Sequence, residues 1–345
     1  MGLLVVILGC CVTGVTFIRD KQASDLIFTT LWFNSLLVLL IVNVACCFFG
    51  RIWGRKITLV SFGMILFHIS FVTMFMGIIY NSLYYFRATI RLTEGETLSS
   101  GDYNSYDSID QGRFFQLNKL KGEATLLEMK TGYKVSGDDK RAAYSVEIGA
   151  KPFKVKDLIY ITKHLYYKGF KYFPDKEGYS VLVVLYDKSG KELYGAYYPL
   201  QSLRSAEEKF TYVTGTKNGP IIASFPQLPD TPLIGANVIY EPDSKNERGG
   251  SVRFSVYPPA GSPFSGAEDK PLYAGKVAVG EKFKAGEYSI AVKEVRYWAA
   301  MAVRYEPGQP IVLTSLWVAL FGVTLTTFAR MYKKRIISSV GSDLQ

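Results

Sequence analysis

Only two histidines occur in the chain, and one of them, His68, lies inside a long apolar segment. Its neighbours in residues 62–71 are Phe, Gly, Met, Ile, Leu and Ser. In a membrane helix over 57–80 the imidazole would lie about halfway along, where an ionisable side chain is costly unless it is neutral and paired. A neutral imidazole suits a transition metal, and histidine is a common axial ligand of haem iron.

The spacing around His68 predicts a face that packs against haem. Met64 lies four residues before it and Phe71 three residues after it, so all three share one side of a helix. We expect His68 to bind the iron axially, with Met64 and Phe71 packing on the haem b. The apolar segments hold no second histidine, so a second ligand would come from a partner subunit or the site would stay open. The alternative is a histidine that hydrogen-bonds across a helix interface.

Other chemistry is poorly supported by the sequence. No HExxH, GxSxG or P-loop motif is present, so the chain is not expected to be an enzyme alone. His164 is flanked by a lysine and reads as a surface residue. The cysteines form two adjacent pairs in apolar segments, which favours packing or lipidation over a redox centre. These cysteines are Cys10, Cys11, Cys46 and Cys47.

Apolar blocks define the elements that must position His68. The blocks at 2–18, 29–50, 57–80 and 309–329 are each about long enough for a spanning helix, so we predict four transmembrane α-helices. A cleaved signal peptide is the alternative for the first block. The residues after the fourth block, 330–345, would form a cytoplasmic tail.

The basic residues indicate an orientation in the lipid bilayer. The chain has 345 residues and a formal net charge of +10. Cations cluster at 51–56 and at 330–335, next to apolar blocks, and such clusters mark cytoplasmic loops. We therefore expect a multi-pass protein with both termini cytoplasmic and residues 81–308 on the outer side. Because the basic excess is a topology signal, no nucleic-acid partner is expected.

Residues 81–308 read mostly as strands. The run 179–186 leads through Asp, Lys, Ser and Gly into 191–198, which predicts a β-hairpin. The segments 251–257 and 288–292 alternate between apolar and polar residues. We predict a large antiparallel β-rich extracytoplasmic domain, inserted between the third and fourth helices.

Three segments resemble the ResB family of system II cytochrome c biogenesis. Leu31-Trp32-Phe33-Asn34-Ser35-Leu36 enters an apolar helix that ends in basic residues. The histidine-bearing helix continues into a strand and the acidic turn Arg91-Leu92-Thr93-Glu94-Gly95-Glu96. Arg304-Tyr305-Glu306-Pro307-Gly308-Gln309-Pro310 leads straight into the last helix. The chain is similar to a short, divergent member of that family.

The resemblance implies a role in a bacterial cytoplasmic membrane. ResB proteins pair with a ResC/CcsA-type membrane protein, and together they move haem outward and attach it to CxxCH motifs of apocytochrome c. The membrane histidine of the family matches His68 and would hold haem in transit, as part of a haem-lyase (synthetase) complex. The outer domain would dock the partner or apocytochrome c.

The short outer domain leaves a second interpretation open. A divergent member could serve as a structural or electron-transfer membrane subunit of a respiratory cytochrome complex, beside multihaem cytochrome subunits and without haem of its own.

Overall fold

A computed structural model gives the fold of the chain in nine described segments. They are residues 2–18, 24–52, 57–204, 210–216, 219–220, 223–225, 234–243, 246–257 and 271–342. The α-helices are α1 (Gly2–Thr13), α2 (Leu31–Ile52), α3 (Leu59–Tyr84) and α4 (Gln309–Ser342). Residues 19–23 of the first loop, 53–56 of the predicted basic turn and 343–345 of the tail lie outside the described residues.

The prediction of four spanning helices is wrong. Two helical stretches of the described chain are long and apolar enough to cross a membrane, Leu59–Tyr84 and Gln309–Lys333. In the first two blocks the apolar helical stretches are shorter, Gly2–Thr16 and, within α2, Leu31–Cys46. At 1.5 Å per residue these two stretches cover about 23–24 Å, less than the ~30 Å hydrocarbon core.

The first block is not one regular α-helix, and the change occurs at Gly14. The α-helical hydrogen bonding of α1 gives way to a π-helical turn, Gly14–Ile18. A Cβ at Gly14 would lie 2.8 Å from the Phe28 ring, so the glycine allows the next π-helical turn, Ser24–Phe28, to pack against the first. Residues of α1, α2 and this turn then bury one another and pack against the C-terminal half of α3. The cluster contains Ile7, Ile27, Phe33, Leu37 and Leu40, with Phe75, Ile78 and Ile79 packed on it.

Helix α3 begins at a capping box. Thr58 is the N-cap, its hydroxyl accepts a hydrogen bond from the Ser61 N–H at 3.2 Å, and the Thr58 N–H donates to the Ser61 hydroxyl at 2.7 Å. These bonds satisfy two backbone donors that the first turn leaves unpaired.

Small residues at seven-residue intervals bring α3 and α4 into backbone contact. Gly63, Ser70 and Gly77 of α3 are buried, and they face Gly322, Ser315 and Gly308 of the antiparallel chain segment that contains α4. A Cβ at Gly63 would lie 2.8 Å from the Gly322 carbonyl oxygen. Midway along, the Thr73 and Ser315 hydroxyls hydrogen-bond at 2.9 Å. Close approach and polar contacts of this kind are how helices associate where no hydrophobic effect drives them together.

The described part of the β domain contains twenty-one strands. They are β1 (Phe86–Thr93), β2 (Thr97–Ser99), β3 (Tyr106–Gln111), β4 (Glu123–Thr131), β5 (Lys134–Val135), β6 (Asp138–Asp139), β7 (Ala142–Ala150), β8 (Phe153–Tyr160), β9 (Leu165–Tyr167), β10 (Phe170–Tyr186), β11 (Glu192–Pro199), β12 (Gln201–Arg204), β13 (Phe210–Val213), β14 (Gly215–Thr216), β15 (Gly219–Pro220), β16 (Ala223–Phe225), β17 (Ile234–Asp243), β18 (Asn246–Tyr257), β19 (Tyr273–Ala278), β20 (Lys282–Ala285) and β21 (Tyr288–Tyr305).

A central sheet with the order β11-β10-β21-β1-β3 supports two flanking sheets. The first flanking sheet is β2-β4-β7-β8, and the second contains β12-β13-β17-β18-β19. One core buries Phe86, Ile90 and Met301 of the central sheet against the first flanking sheet. The other buries Val183 and Ile290 against the second. The long strands β10 and β21 run through both cores and join them.

The predicted hairpin is confirmed. Strands β10 and β11 pair antiparallel around Asp187, whose carboxylate accepts from the Lys191 N–H at 2.9 Å and from the Ser189 hydroxyl at 2.6 Å. These bonds, led by that of Ser189, hold the pKa of Asp187 below its usual value. Gly190 takes a positive φ of 83°, which the tight turn requires.

Strands β1 and β21 continue directly into the helix pair. Phe86, one residue beyond the C-cap of α3, is the register partner of Tyr305, which lies a few residues before α4. The Asn81 side-chain carbonyl accepts from the Gly308 N–H at 3.2 Å, and Arg87 pairs with Glu306 at 2.7 Å. Where the helix pair meets the sheet, the α3–β1 and β21–α4 connections are therefore linked by a hydrogen bond and an ion pair.

The acidic turn after β1 ties separate strands together through Glu94, which is only 6% exposed. Its carboxylate accepts from the Met129 N–H at 2.9 Å, the Tyr297 N–H at 3.3 Å and Arg248 at 3.1 Å. Its carbonyl oxygen accepts from Arg296 at 3.0 Å. Glu94 thus links β1, β4, β18 and β21 at the level where the two cores meet.

A second carboxylate, that of Glu294 on β21, extends this polar cluster. Glu294 accepts from the Arg296 guanidinium at 2.8 Å and from the Tyr197 hydroxyl at 2.8 Å. The Arg296 bond is the main cause of a lowered pKa for Glu294. Burial, followed by the bond to Glu294, raises the pKa of Tyr197 to about 12.

Candidate functional site

One ring nitrogen of His68 is fixed by its own helix. Nδ1 lies 2.7 Å from the carbonyl oxygen of Met64, one turn earlier in α3. A carbonyl oxygen can only accept, so Nδ1 carries the proton and donates it. In the neutral ring the lone pair is therefore on Nε2, for which the described residues provide no hydrogen-bond partner. A backbone bond of this kind is what commonly orients a metal-binding imidazole.

A phenylalanine of α2 sets the plane of the ring. Phe48 stacks on His68 with a centroid separation of 4.9 Å and an interplanar angle of 23°, while Phe67 meets the ring edge-on at 5.5 Å. Stacking covers a face of the imidazole, whereas a metal would bind Nε2 in the ring plane. Phe48 was not among the residues predicted from helical spacing, because it lies on another helix.

Helices α2 and α3 form an antiparallel pair that places Phe48 beside His68. Phe48 and His68 are equally far in sequence from Thr58, and so are Asn34 and Ser82, whose side chains hydrogen-bond at 2.9 Å. Both helices advance by the same rise per residue, so the two contacts are in one register. This symmetry about the connection is a signal from which Phe48 could have been found.

Met64 and Phe71 both lie on the His68 side of α3. The main-chain oxygen of Met64 accepts the hydrogen bond from Nδ1 of His68, and Met64 is 36% exposed. The Phe71 ring lies between two others, with its centroid 5.4 Å from that of Phe67 and 5.2 Å from that of Phe75. Gly63 and Gly77 of the same helix instead face α4, where they permit the backbone approach described above.

The surroundings of His68 fit a single axial ligand to haem iron. Nε2 is the nitrogen left without a hydrogen bond to the described residues, and the neighbouring side chains are aromatic or thioether groups that suit a porphyrin face. Within the described ranges no cluster of three or more His, Cys, Asp or Glu side chains could hold a metal ion, but an axial site needs only one residue from this chain.

The other candidate residues are not brought to this site. His164 packs between the rings of Tyr166 and Phe173, at 4.8 and 4.7 Å, on the surface of the β domain. Cys10, Cys11 and Cys46 are free thiols in the helical part.

Neither a protein-family model nor a curated protein matches the chain.

Proposed function

We propose that the chain is a ResB-like component of a membrane haem-handling complex for cytochrome c maturation. The observation that carries the proposal is the His68 imidazole, which lies within an apolar helix with Nδ1 committed to a carbonyl oxygen and the Nε2 lone pair available. A polar nitrogen in such a place is costly without a function. The family resemblance supplies the function that fits it.

Each residue of the site has a distinct role in this proposal. His68 would hold haem iron through Nε2, and the Met64 carbonyl oxygen keeps the proton on Nδ1. Phe48 fixes the ring plane, while Met64 and Phe71 pack against the haem. Haem b, when bound, provides a redox-active iron and the vinyl groups that are joined to cysteine thiols in cytochromes c.

A second ligand to the iron would come from a partner. The only other histidine of the chain, His164, is in the β domain. A ResC/CcsA-type membrane protein would supply the ligand and the attachment chemistry, so the chain is not an enzyme alone. The β domain would dock that protein or apocytochrome c.

The membrane arrangement in this proposal uses two helices. α3 and α4 cross a bacterial cytoplasmic membrane as an antiparallel pair, and the β domain lies on the outer side. In the sequence, the cations at 51–56 come just before α3, and those at 330–335 follow the apolar stretch of α4. Both clusters are therefore at the helix ends away from the β domain, which favours a cytoplasmic location for both.

A second function is a structural or electron-transfer subunit of a respiratory cytochrome complex without haem of its own. The stacking of His68 on Phe48 and its bond within α3 favour this candidate, because both interactions stabilise the imidazole without a ligand.

Complementation separates the two functions. In a host deleted for this gene, we expect loss of covalently bound haem from c-type cytochromes, restored by the wild-type chain and by His164→Ala but not by His68→Ala. Normal haem attachment in the deleted host, with loss of one respiratory activity, would overturn the maturation role and favour the second function.

A further inference from the structure

Three cations lie side by side across the central sheet where it meets the helices. Lys171 of β10 and Arg87 of β1 are both register partners of Arg304 on β21. Directly opposed residues of antiparallel strands point to the same face. The adjacent residues Tyr172, Val303 and Ala88 are buried in the core, so this basic row (Lys171, Arg304 and Arg87) projects from the outer face.

The basic row is only partly neutralised. Arg87 pairs with Glu306 at 2.7 Å, and Asp110, the register partner of Arg87 on β3, accepts from the Tyr85 hydroxyl at 2.5 Å. Among the described residues, no carboxylate lies within ion-pairing distance of Lys171 or Arg304. Like charges directly opposite each other destabilise a sheet, so an anion in front of the row would relieve a repulsion that the protein itself leaves.

Lys171 and Arg304 are held in place by other contacts. The Lys171 ammonium donates to the Gln309 side chain at 3.0 Å and lies 5.4 Å from the centroid of the Tyr166 ring. The Arg304 guanidinium lies 5.5 Å from the centroid of the Phe173 ring. Their charged ends are therefore positioned without being cancelled.

Exposed aromatic rings near the end of α3 indicate where the basic row lies relative to the membrane surface. Tyr80 and Tyr84 stack along the last turns of α3, and Phe114 packs on Tyr84 with 53% of its surface exposed. Aromatic belts of this kind mark the edge of the hydrocarbon core. Arg87 follows Tyr84 by three residues of extended chain, or about 10 Å, which brings it into the headgroup layer.

We propose that the basic row binds the phosphodiester of anionic phospholipids in the outer leaflet. The inference rests on the proposed membrane placement of α3 and α4 but does not involve haem. Long basic side chains reach towards lipid phosphates while their stems stay on the protein surface. The site would anchor the β domain at a fixed height and angle on the membrane.

Lipid titration of the full-length protein in detergent tests the proposal. Native mass spectrometry would give the affinities for short-chain phosphatidylglycerol and phosphatidylcholine, with inorganic phosphate as competitor. The variant Lys171→Gln/Arg304→Gln is compared with Lys156→Gln/Lys284→Gln, which removes two exposed cations from other strands. At about fivefold per cation, we expect about 25-fold weaker binding of phosphatidylglycerol to the first variant and no change in the control.

Three results would overturn the site. They are equal affinity of the wild-type protein for the two lipids, unchanged phosphatidylglycerol binding in the first variant, and full displacement of the lipid by inorganic phosphate, which would indicate a site for the free anion. Carbonate extraction of membranes distinguishes failure of the lipid site alone from failure of the proposed membrane placement. Release of the protein from membranes by carbonate would overturn the membrane placement and the lipid site together.

Discussion

Removal of the Glu94 carboxylate is expected to destabilise the β domain far more than removal of an exposed one. In Glu94→Ala, the buried N–H groups of Met129 and Tyr297 lose their acceptor. Each unsatisfied donor costs about 1–3 kcal/mol, so the expected loss is about 2–6 kcal/mol. Arg248 adds little, since its side chain is 55% exposed and the pair is screened by water. Glu94→Gln keeps one acceptor oxygen and should lose about 1–3 kcal/mol.

Denaturant unfolding of the purified protein in detergent, followed by near-UV circular dichroism, measures this loss. The control is Glu128→Ala, which removes a carboxylate that is 58% exposed and pairs with Lys130 at 3.6 Å. We expect the control to change the free energy of unfolding by no more than about 0.5 kcal/mol. If Glu94→Ala unfolds at the same denaturant concentration as this control, Glu94 does not link the strands as described.

Two further predictions concern the helix pair and the acid stability of the sheet. Gly322→Leu should separate α3 from α4 and cost at least about 1–3 kcal/mol, because a Cβ there would lie 2.8 Å from the Gly63 carbonyl oxygen. Gly9→Leu, where a Cβ meets nothing within 4 Å, should leave the thermal midpoint unchanged. The bond from Arg296 lowers the pKa of Glu294 in the folded protein. The ionised Glu294 therefore stabilises the fold above the ordinary carboxyl pKa, and this stabilisation is lost as the pH falls through the lowered pKa. Glu294→Gln should therefore flatten the decline of the melting temperature between about pH 5 and pH 3, and an unchanged decline would contradict this.

The sequence predicts local pairing well where residue types dictate it. The hairpin of β10 and β11 follows from alternating residues around Asp187 and Gly190. The full length of β10 does not, because Pro174 and the charged residues that follow interrupt the alternation. The register shifts between Pro174 and Lys176, which lets the strand continue past this irregularity.

Composition misleads where the course of the chain depends on one small residue. Residues 2–18 are apolar enough for a spanning helix, yet α1 gives way to a π-helical turn at Gly14, where the Phe28 ring packs close to the backbone. The His68 side of α3 follows from helical spacing, but the proton position depends on the Met64 carbonyl, which helical spacing alone does not identify. Phe48 requires the register of two helices, a tertiary property.

Haem content of the purified complex tests the central claim most directly. We expect pyridine haemochrome analysis of the wild-type chain, purified with its partner subunits, to show haem b and a Soret band. His68→Ala should lose both, whereas His164→Ala should retain them. Equal haem content in the wild-type and His68→Ala proteins would contradict the claim that this imidazole binds the iron.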